Sequence, residues 1–282
     1  MLRDGDILTY PLVLKGIQGA RLESRTGMRM AIVNDPGELL ATYAIMEDPT
    51  SPNVMIQEYI PGNDDSTWLF NGYFSREAEC LVAYTGRKIR QNPTYTGMTS
   101  YGACVWNQEI VDMTSCFLRT IGYHGIVDID FRFDARDGQY KLLDVNPRIG
   151  ASFRLFVTDQ GMDVARALYL DMTSQPVPQE RPQDGRTWVV EDKDILSSYR
   201  YIKDRKLSFR QWIASVRIVD EAGYFATDDP APWAFMWSNH VKRKLGRFWR
   251  KTPGSTPARS AERPTSSRRK VVYGNHWMDV AM

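Results

Sequence analysis

The chain has 282 residues, 43% apolar and 25% charged, the make-up of a soluble globular protein with room for one large domain or two ordinary ones. No apolar run approaches the roughly 20 residues that span a bilayer, and the opening Met1-Leu2-Arg3-Asp4-Gly5-Asp6 lacks the apolar core of a secretion signal. The net charge of +2 hides an asymmetry: eleven basic residues and one acid, Glu262, lie between Met236 and Lys270, which leaves an acidic body of 25 basic and 33 acidic residues. Such a body is a poor nucleic-acid binder, so no specific nucleic-acid partner is expected, and any polyanionic partner would meet the tail.

In chain order, the segment from Tyr10 to Lys15 reads as a short strand ending in a lysine. A glycine-containing loop from Gly16 to Gly27 follows, then a returning strand from Arg29 to Val33. Asp35-Pro36-Gly37-Glu38 opens a helix through Leu39, Leu40, Tyr43, Ala44 and Met46, with proline in its first turn. Val54 to Ile60 is a strand stopped by Pro61-Gly62, and further strands are expected at 67–74 and 80–88. Residues 108–121 form an amphipathic helix with Ile110, Met113, Phe117, Leu118 and Ile121 at helical spacing, ended by Gly122. A hairpin over 126–146 and a helix from Gly161 to Tyr169 come next. Pro176, Pro178 and Pro182 mark a linker, and 186–229 is a smaller segment with a helix near 207–216. From Pro230 the chain becomes basic and rich in tryptophan, and 252–267 has the Ser, Thr, Pro and Arg content of a disordered stretch.

Cys80, Cys104 and Cys116 are odd in number and widely spaced, which predicts buried thiols in a reducing compartment and neither a disulfide framework nor a zinc cluster. His124, His240 and His276 are equally scattered.

The hairpin carries the chemistry. Alternation places Val127, Ile129, Phe131 and Phe133 on one face of its first strand and Asp128, Asp130 and Arg132 on the other. A three-residue loop Arg136-Asp137-Gly138 pairs Ala135 with Gln139, which sets Asp130 across from Asp144 and Asp128 across from Asn146. A two-residue Asp137-Gly138 turn would put Asp144 among Phe131 and Ile129. Like charges directly opposite in a sheet repel, and two carboxylates with an amide suit Mg²⁺, whose oxygen ligands lie at roughly 2.0–2.1 Å. Taken alone, the hairpin fits solvated surface acids equally well. Asn146-Pro147-Arg148 then adds a guanidinium able to hold an acyl phosphate or a carboxylate bidentately.

This pattern resembles the ATP-grasp superfamily, in which an acid on one strand and acid-x-Asn on the next hold magnesium against the phosphates of ATP. Asp130, Asp144 and Asn146 match those ligands, and Arg148 matches the arginine that steadies the acyl phosphate. Tyr10 to Lys15 resembles the strand whose lysine contacts phosphate. Gln57-Glu58-Tyr59-Ile60-Pro61-Gly62 resembles the hinge that holds adenine by backbone hydrogen bonds at Tyr59 and Ile60, and Asp64 or Asp65 stands where an acid meets the ribose. Thr85 to Gln91 resembles the basic strand near the terminal phosphate, in the form seen in D-aspartate-ligase-like carboxylate–amine ligases, with Lys88 and Arg90 on one face. The strand from Phe70 to Phe74 fits the same subgroup. The match is strong from Tyr10 to about Asp171 and weaker to Pro232. Ordinary solvated roles remain open for Lys15, Glu58, Lys88 and Arg90.

The resemblance implies an α+β ATP-grasp fold, two α+β lobes gripping nucleotide, without the usual N-terminal α/β domain. It divides the chain into an incomplete ATP-grasp domain (1–175), a C-terminal extension (176–235) and a basic, partly disordered tail (236–282). It implies an ATP-dependent ligase that joins a small-molecule or peptide carboxylate to an amine through an acyl phosphate. The cofactors are ATP and Mg²⁺, with Mn²⁺ as the alternative ion. The expected location is cytoplasmic, with the tail peripheral at the inner membrane face, where Trp233, Trp237, Phe248 and Trp249 with Lys242, Arg243, Lys244, Arg247 and Arg250 form a basic amphipathic helix or a packed terminal one. A non-catalytic nucleotide-binding or membrane-peripheral protein derived from such a ligase is the second reading. The substrates and the oligomeric state are not legible.

Overall fold

The computed structural model describes residues 8–181, 183–249, 271–273 and 276–278. Two compact units divide the chain: Met1–Ile60 with Thr256–Met282, and Pro61–Ser255.

In the first unit, β1 (Leu12–Gly16) is followed by α1 (Gly19–Thr26), β2 (Met30–Val33), α2 (Pro36–Met46) and β3 (Val54–Glu58). The strands form an antiparallel sheet in the order β2-β1-β3. The stretch from Gly16 to Gly27, expected as a loop, is largely the helix α1. Its Leu22 is buried, and Gly27 closes it at φ 73, a left-handed conformation that costs glycine nothing. Asp35 caps α2 by accepting from the Glu38 N–H, with Pro36 at the first turn. Leu12 and Leu14 join Leu22, Val33, Leu39 and Met46 in one core. Lys15 alternates onto the other face of β1, opposite Met30 and Met55.

The second unit is built on a seven-stranded sheet. Its elements are β4 (Thr67–Phe74), β5 (Cys80–Asn92), β6 (Met98–Cys104), α3 (Gln108–Thr120), β7 (Gly125–Asp134), β8 (Gln139–Asn146), α4 (Val164–Met172), β9 (Thr187–Val189), α5 (Glu191–Lys203), α6 (Phe209–Arg217), β10 (Glu221–Ala222) and α7 (Ala231–Trp249). The strand order is β10-β9-β6-β5-β4-β7-β8. All neighbours are antiparallel except β10 and β9. Segments β11 (Val271–Tyr273) and β12 (His276–Met278) form a small antiparallel pair in the tail. The rest of the tail expected to be disordered, 252–267, lies outside the described residues.

Alternation gives the large sheet two apolar faces. Phe70, Phe74, Val127, Ile129 and Phe131 pack against Ile110, Val111 and Leu118 of α3. Leu69, Tyr73, Val82, Tyr84 and Ile126 pack on the other side with Leu155, Phe156, Met162, Val164 and Ala167. Among the elements absent from the sequence reading are β6 and α5. The stretch read as a separate extension contributes β9 to this same sheet, paired with β6. Cys104 is buried and Cys80 partly so, whereas Cys116 is exposed, against the expectation of three buried thiols.

Candidate active site

The hairpin β7–β8 places its acids as the sequence predicted, by a different route. Its connection is a four-residue loop, with Asp134 rather than Ala135 opposite Gln139. An extra residue in β8, a bulge at Leu143, then restores the register, so that Asp130 faces Asp144 and Asp128 faces Asn146. The loop is held from Asp134, whose carbonyl accepts from Gly138 N–H at 2.8 Å and whose carboxylate accepts from Arg136 Nε at 2.8 Å and Nη2 at 2.6 Å. Gly138, at φ 72 in the left-handed region, completes the turn. The Arg136 hydrogen bonds hold the Asp134 carboxyl down at about 2.

Val127, Ile129 and Phe131 take the α3 side of the sheet, so Asp128 and Asp130 project from the other. The neighbouring strand agrees, since Asp130 lies opposite Leu69 and Asp128 opposite Asn71. Lys88 Nζ lies 2.7 Å from Asp130 Oδ2. The Asn146 amide donates to Asp144 Oδ2 and accepts from Arg148 Nη2, both at 3.2 Å. Lys88 of β5 thus gathers with Asp128 and Asp130 of β7 and with Asp144, Asn146 and Arg148 at and just after the end of β8. Burial first, then the like charge of Asp130, push the Asp128 carboxyl up to about 6, against the pull of Asn71, Lys88 and Arg148.

Arg90 does not share a face with Lys88. A bulge at Ile89 shifts the register, so Lys88 opposes Gly102 while Arg90 opposes the adjacent Tyr101. The two basic side chains diverge. Arg90 forms a bidentate pair with Asp194 of α5, at 2.7 and 3.0 Å, and its guanidinium lies 4.1 Å from the centre of the Tyr101 ring. Its charge is used within the fold.

The other expected residues stand as follows. Lys15, Gln57, Glu58, Tyr59 and Ile60 belong to the first unit and Asp65 to the second. Gln57 shares its face of the small sheet with Val13, whereas Glu58 lies opposite Leu12. The Tyr59 N–H, expected to face adenine, donates to the Pro11 carbonyl at 3.2 Å, so Tyr59 has only its carbonyl to offer there. Asp65 is exposed and pairs with Arg87 at 3.6 Å. Sequence reasoning missed Asn71, a wholly buried amide beside Asp128. The signal was a lone polar residue inside the apolar run Trp68-Leu69-Phe70-Asn71.

The oxygen set fits a magnesium ion. Among the described residues no three His, Cys, Asp or Glu side chains gather closely enough to hold a metal alone. Mg²⁺ characteristically takes one or two carboxylates and completes its shell from waters and substrate phosphates. Asp130 and Asp144, directly opposed, with Asn146 beside them, are hard donors of that kind.

No protein-family model matches the chain. D-aspartate ligase from Enterococcus faecium is 27% identical over 211 residues, 71% of this chain and 50% of that protein. Among solved structures, an L-amino acid ligase from Bacillus licheniformis is 16% identical, with a TM-score of 0.36 over 54% of this chain and 35% of its own. The biotin carboxylase domain of Hydrogenobacter thermophilus 2-oxoglutarate carboxylase, in complex with MgADP, is 15% identical, with a TM-score of 0.46 over 64% and 40%. The chain spans about half the length of the curated relative it matches. Over that length the chain is similar to D-aspartate ligase.

Proposed function

We propose that this chain provides the ATP- and magnesium-binding part of a ligase that joins a carboxylate to an amine. The observation that carries the reading is the pairing of Asp130 with Asp144 across two strands, with Asn146, Lys88 and Arg148 in the same constellation. The relative named above supplies the reaction class.

The reaction has two steps. A carboxylate oxygen of one substrate attacks the γ-phosphorus of ATP, the bond to the β-phosphate oxygen breaks, and ADP leaves. The amine nitrogen of the second substrate then attacks the acyl carbon, phosphate departs, and the nitrogen gives up a proton. Magnesium, when bound, would neutralise phosphate charge. Asp130, Asp144 and Asn146 would hold that ion, and Mn²⁺ would suit the same oxygens. Lys88, 2.7 Å from Asp130, would meet the transferred phosphoryl group, and Arg148 would steady the acyl phosphate. Catalysis of this kind is mostly positioning, so no side-chain nucleophile is required. Lys15, Gln57, Glu58 and Ile60 remain candidates for the nucleotide, and Asp65 for its ribose. Arg90 is set aside because Asp194 holds it.

Magnesium-dependent ADP release from ATP, measured with carboxylate and amine pairs beginning with D-aspartate, tests the reading. Asp144 is exposed, so Asp144→Ala should abolish turnover and leave the melting temperature in place. Unchanged ADP release in that variant would refute the proposal.

A second feature supports contact with an anionic membrane surface. Phe235 is 66% exposed and Val241 55% exposed on α7, next to exposed Lys242 and Arg243. Sedimentation with anionic vesicles, with and without the residues after Pro230, tests this. Among the described residues no helix is long and apolar enough to cross a membrane.

A further inference from the structure

We propose that Asp128 is a positioning residue for Arg148, acting through the backbone of Gly150. The role assigned to Arg148 rests on the ligase reading above; the placement of its side chain does not.

Arg148 sits in a short exposed segment. Residues 147–149 are exposed, between Asn146 in the ladder and Gly150, which is buried again. All of the hydrogen bonds of Arg148 go to its chain neighbours: its N–H to the Asn146 carbonyl at 2.8 Å, Nη1 to the Ile149 carbonyl at 3.2 Å, and Nη2 to Asn146 Oδ1 at 3.2 Å. Two of these go to Asn146, the last residue of the edge strand β8, and the third stays inside the segment; none reaches a more central strand. The far end is tied at Gly150. A Cβ placed on Gly150 would overlap Cγ and both oxygens of the Asp128 carboxylate. The carboxylate and the glycine backbone are therefore in direct contact, and only glycine fits.

Asp128 is itself fixed from two sides. It lies opposite Asn146 on one neighbouring strand and opposite Asn71 on the other. The Asn71 side chain, wholly buried, donates to Asp128 Oδ1 at 3.4 Å. Placement thus passes from the rigid centre of the sheet to Asp128, from Asp128 to Gly150, and from Gly150 back to Arg148. The attraction between the charges of Asp128 and Arg148 acts in the same sense. A catalytic guanidinium on an exposed segment needs such support, because a displacement of about 1 Å costs on the order of 100-fold in rate.

The test uses the full chain labelled with ¹⁵N-arginine. The Arg148 Nε signal is identified by its loss in Arg148→Lys, and its heteronuclear NOE is measured beside kcat and KM for ADP release from Mg-ATP. In the wild type the Arg148 side chain should be ordered. In Asp128→Ala and in Gly150→Ala, which break one contact from its two sides, it should become mobile. Turnover should then fall by about 10- to 100-fold, with KM for ATP moving by less than about 2-fold. Asp128→Asn keeps the packing against Gly150 and should keep both the ordered signal and most of the turnover. A merely structural role for Asp128 would lower the melting temperature without loosening Arg148. An Arg148 signal as ordered in either broken variant that folds as in the wild type overturns the proposal. A wild-type chain that releases no ADP sinks the ligase reading, and the NOE still decides the positioning.

Discussion

Lys88 reaches Asp130 across an intervening strand. β5 and β7 are separated by β4, yet Nζ of Lys88 lies 2.7 Å from Asp130 Oδ2. Two strand spacings are about 9.5 Å, a gap that only a long side chain closes. The lysine is 8% exposed and the aspartate 24%, so the pair is largely shielded from water. Losing one partner of such a pair leaves a stranded charge, at a cost of about 3–5 kcal/mol when burial is complete. Lys88 is the deeper of the two. Asp130→Asn should therefore destabilise the second unit more than Lys88→Met does, and the double variant should recover part of the loss. Thermal unfolding of the four proteins in a double-mutant cycle checks this. Additive single effects would show that the two charges do not depend on each other.

Arg90 and Asp194 make the stronger prediction about stability. Their side chains are 5% and 1% exposed. Asp194 also accepts from Trp212 Nε1 at 2.9 Å and from Ser100 and Ser198, each at 3.3 Å, so it joins β5 and β6 to α5 and α6. Arg90→Ala would leave this carboxylate without its cation and should lower stability by about 3–5 kcal/mol. At about 2–4 °C per kcal/mol for a domain of this size, the melting temperature should fall by roughly 10 °C. A variant with an intact melting temperature and lost ADP release would instead return Arg90 to the phosphate site.

Much of this architecture was legible in the residues. The strand 67–74 and the helix from Gln108 fell where spacing placed them, because each has one clean periodicity and a stop signal. The opposition of Asp130 and Asp144 was also legible, although the loop is one residue longer than expected. A bulge at Leu143 compensates, and bulges leave no mark in an alternating pattern. The pairing of Lys88 with Arg90 failed for the same reason at Ile89. β6, with the sequence Met98-Thr-Ser-Tyr-Gly-Ala-Cys104, escaped notice because most of it is buried on both faces and hence does not alternate. α5 opens with Glu191-Asp192-Lys193-Asp194 and reads as a solvated stretch. Asp194 is in fact buried, and its partner Arg90 is 104 residues away, a distance no local pattern can report.

Acid should act on the hairpin through Asp134. Its carboxyl is held at about 2 by Arg136, below its value in an unfolded chain. A depressed folded-state value contributes stability that is complete above about pH 4 and is lost as pH falls towards 2. Thermal unfolding followed between pH 5 and pH 2 should thus show a steeper decline in the wild type than in Asp134→Asn. The two proteins should converge at the acid end. Parallel curves would mean that the Arg136 hydrogen bonds persist in the unfolded chain.

The three thiols should differ in reactivity by environment alone. Cys116 is exposed on α3, and no acid–base partner is needed to make it accessible. Burial pushes the Cys104 thiol up to about 12, and its sulfur hydrogen faces the Thr85 carbonyl at 3.6 Å. Cys80 is raised in the same direction, also by burial. The thiolate is the reactive species, so reaction at pH 8 is slowed at Cys80 and Cys104, where burial both limits access and raises the thiol. One thiol should react quickly with a disulfide-exchange reagent, and Cys116→Ser should remove that phase. Cys104 should stay unlabelled until the sheet unfolds, which makes its labelling rate a measure of global opening. Rapid labelling of Cys104 in the native chain would mean that the β5–β6 region opens locally, and that the core around Tyr84 and Phe156 is less closed than its packing shows.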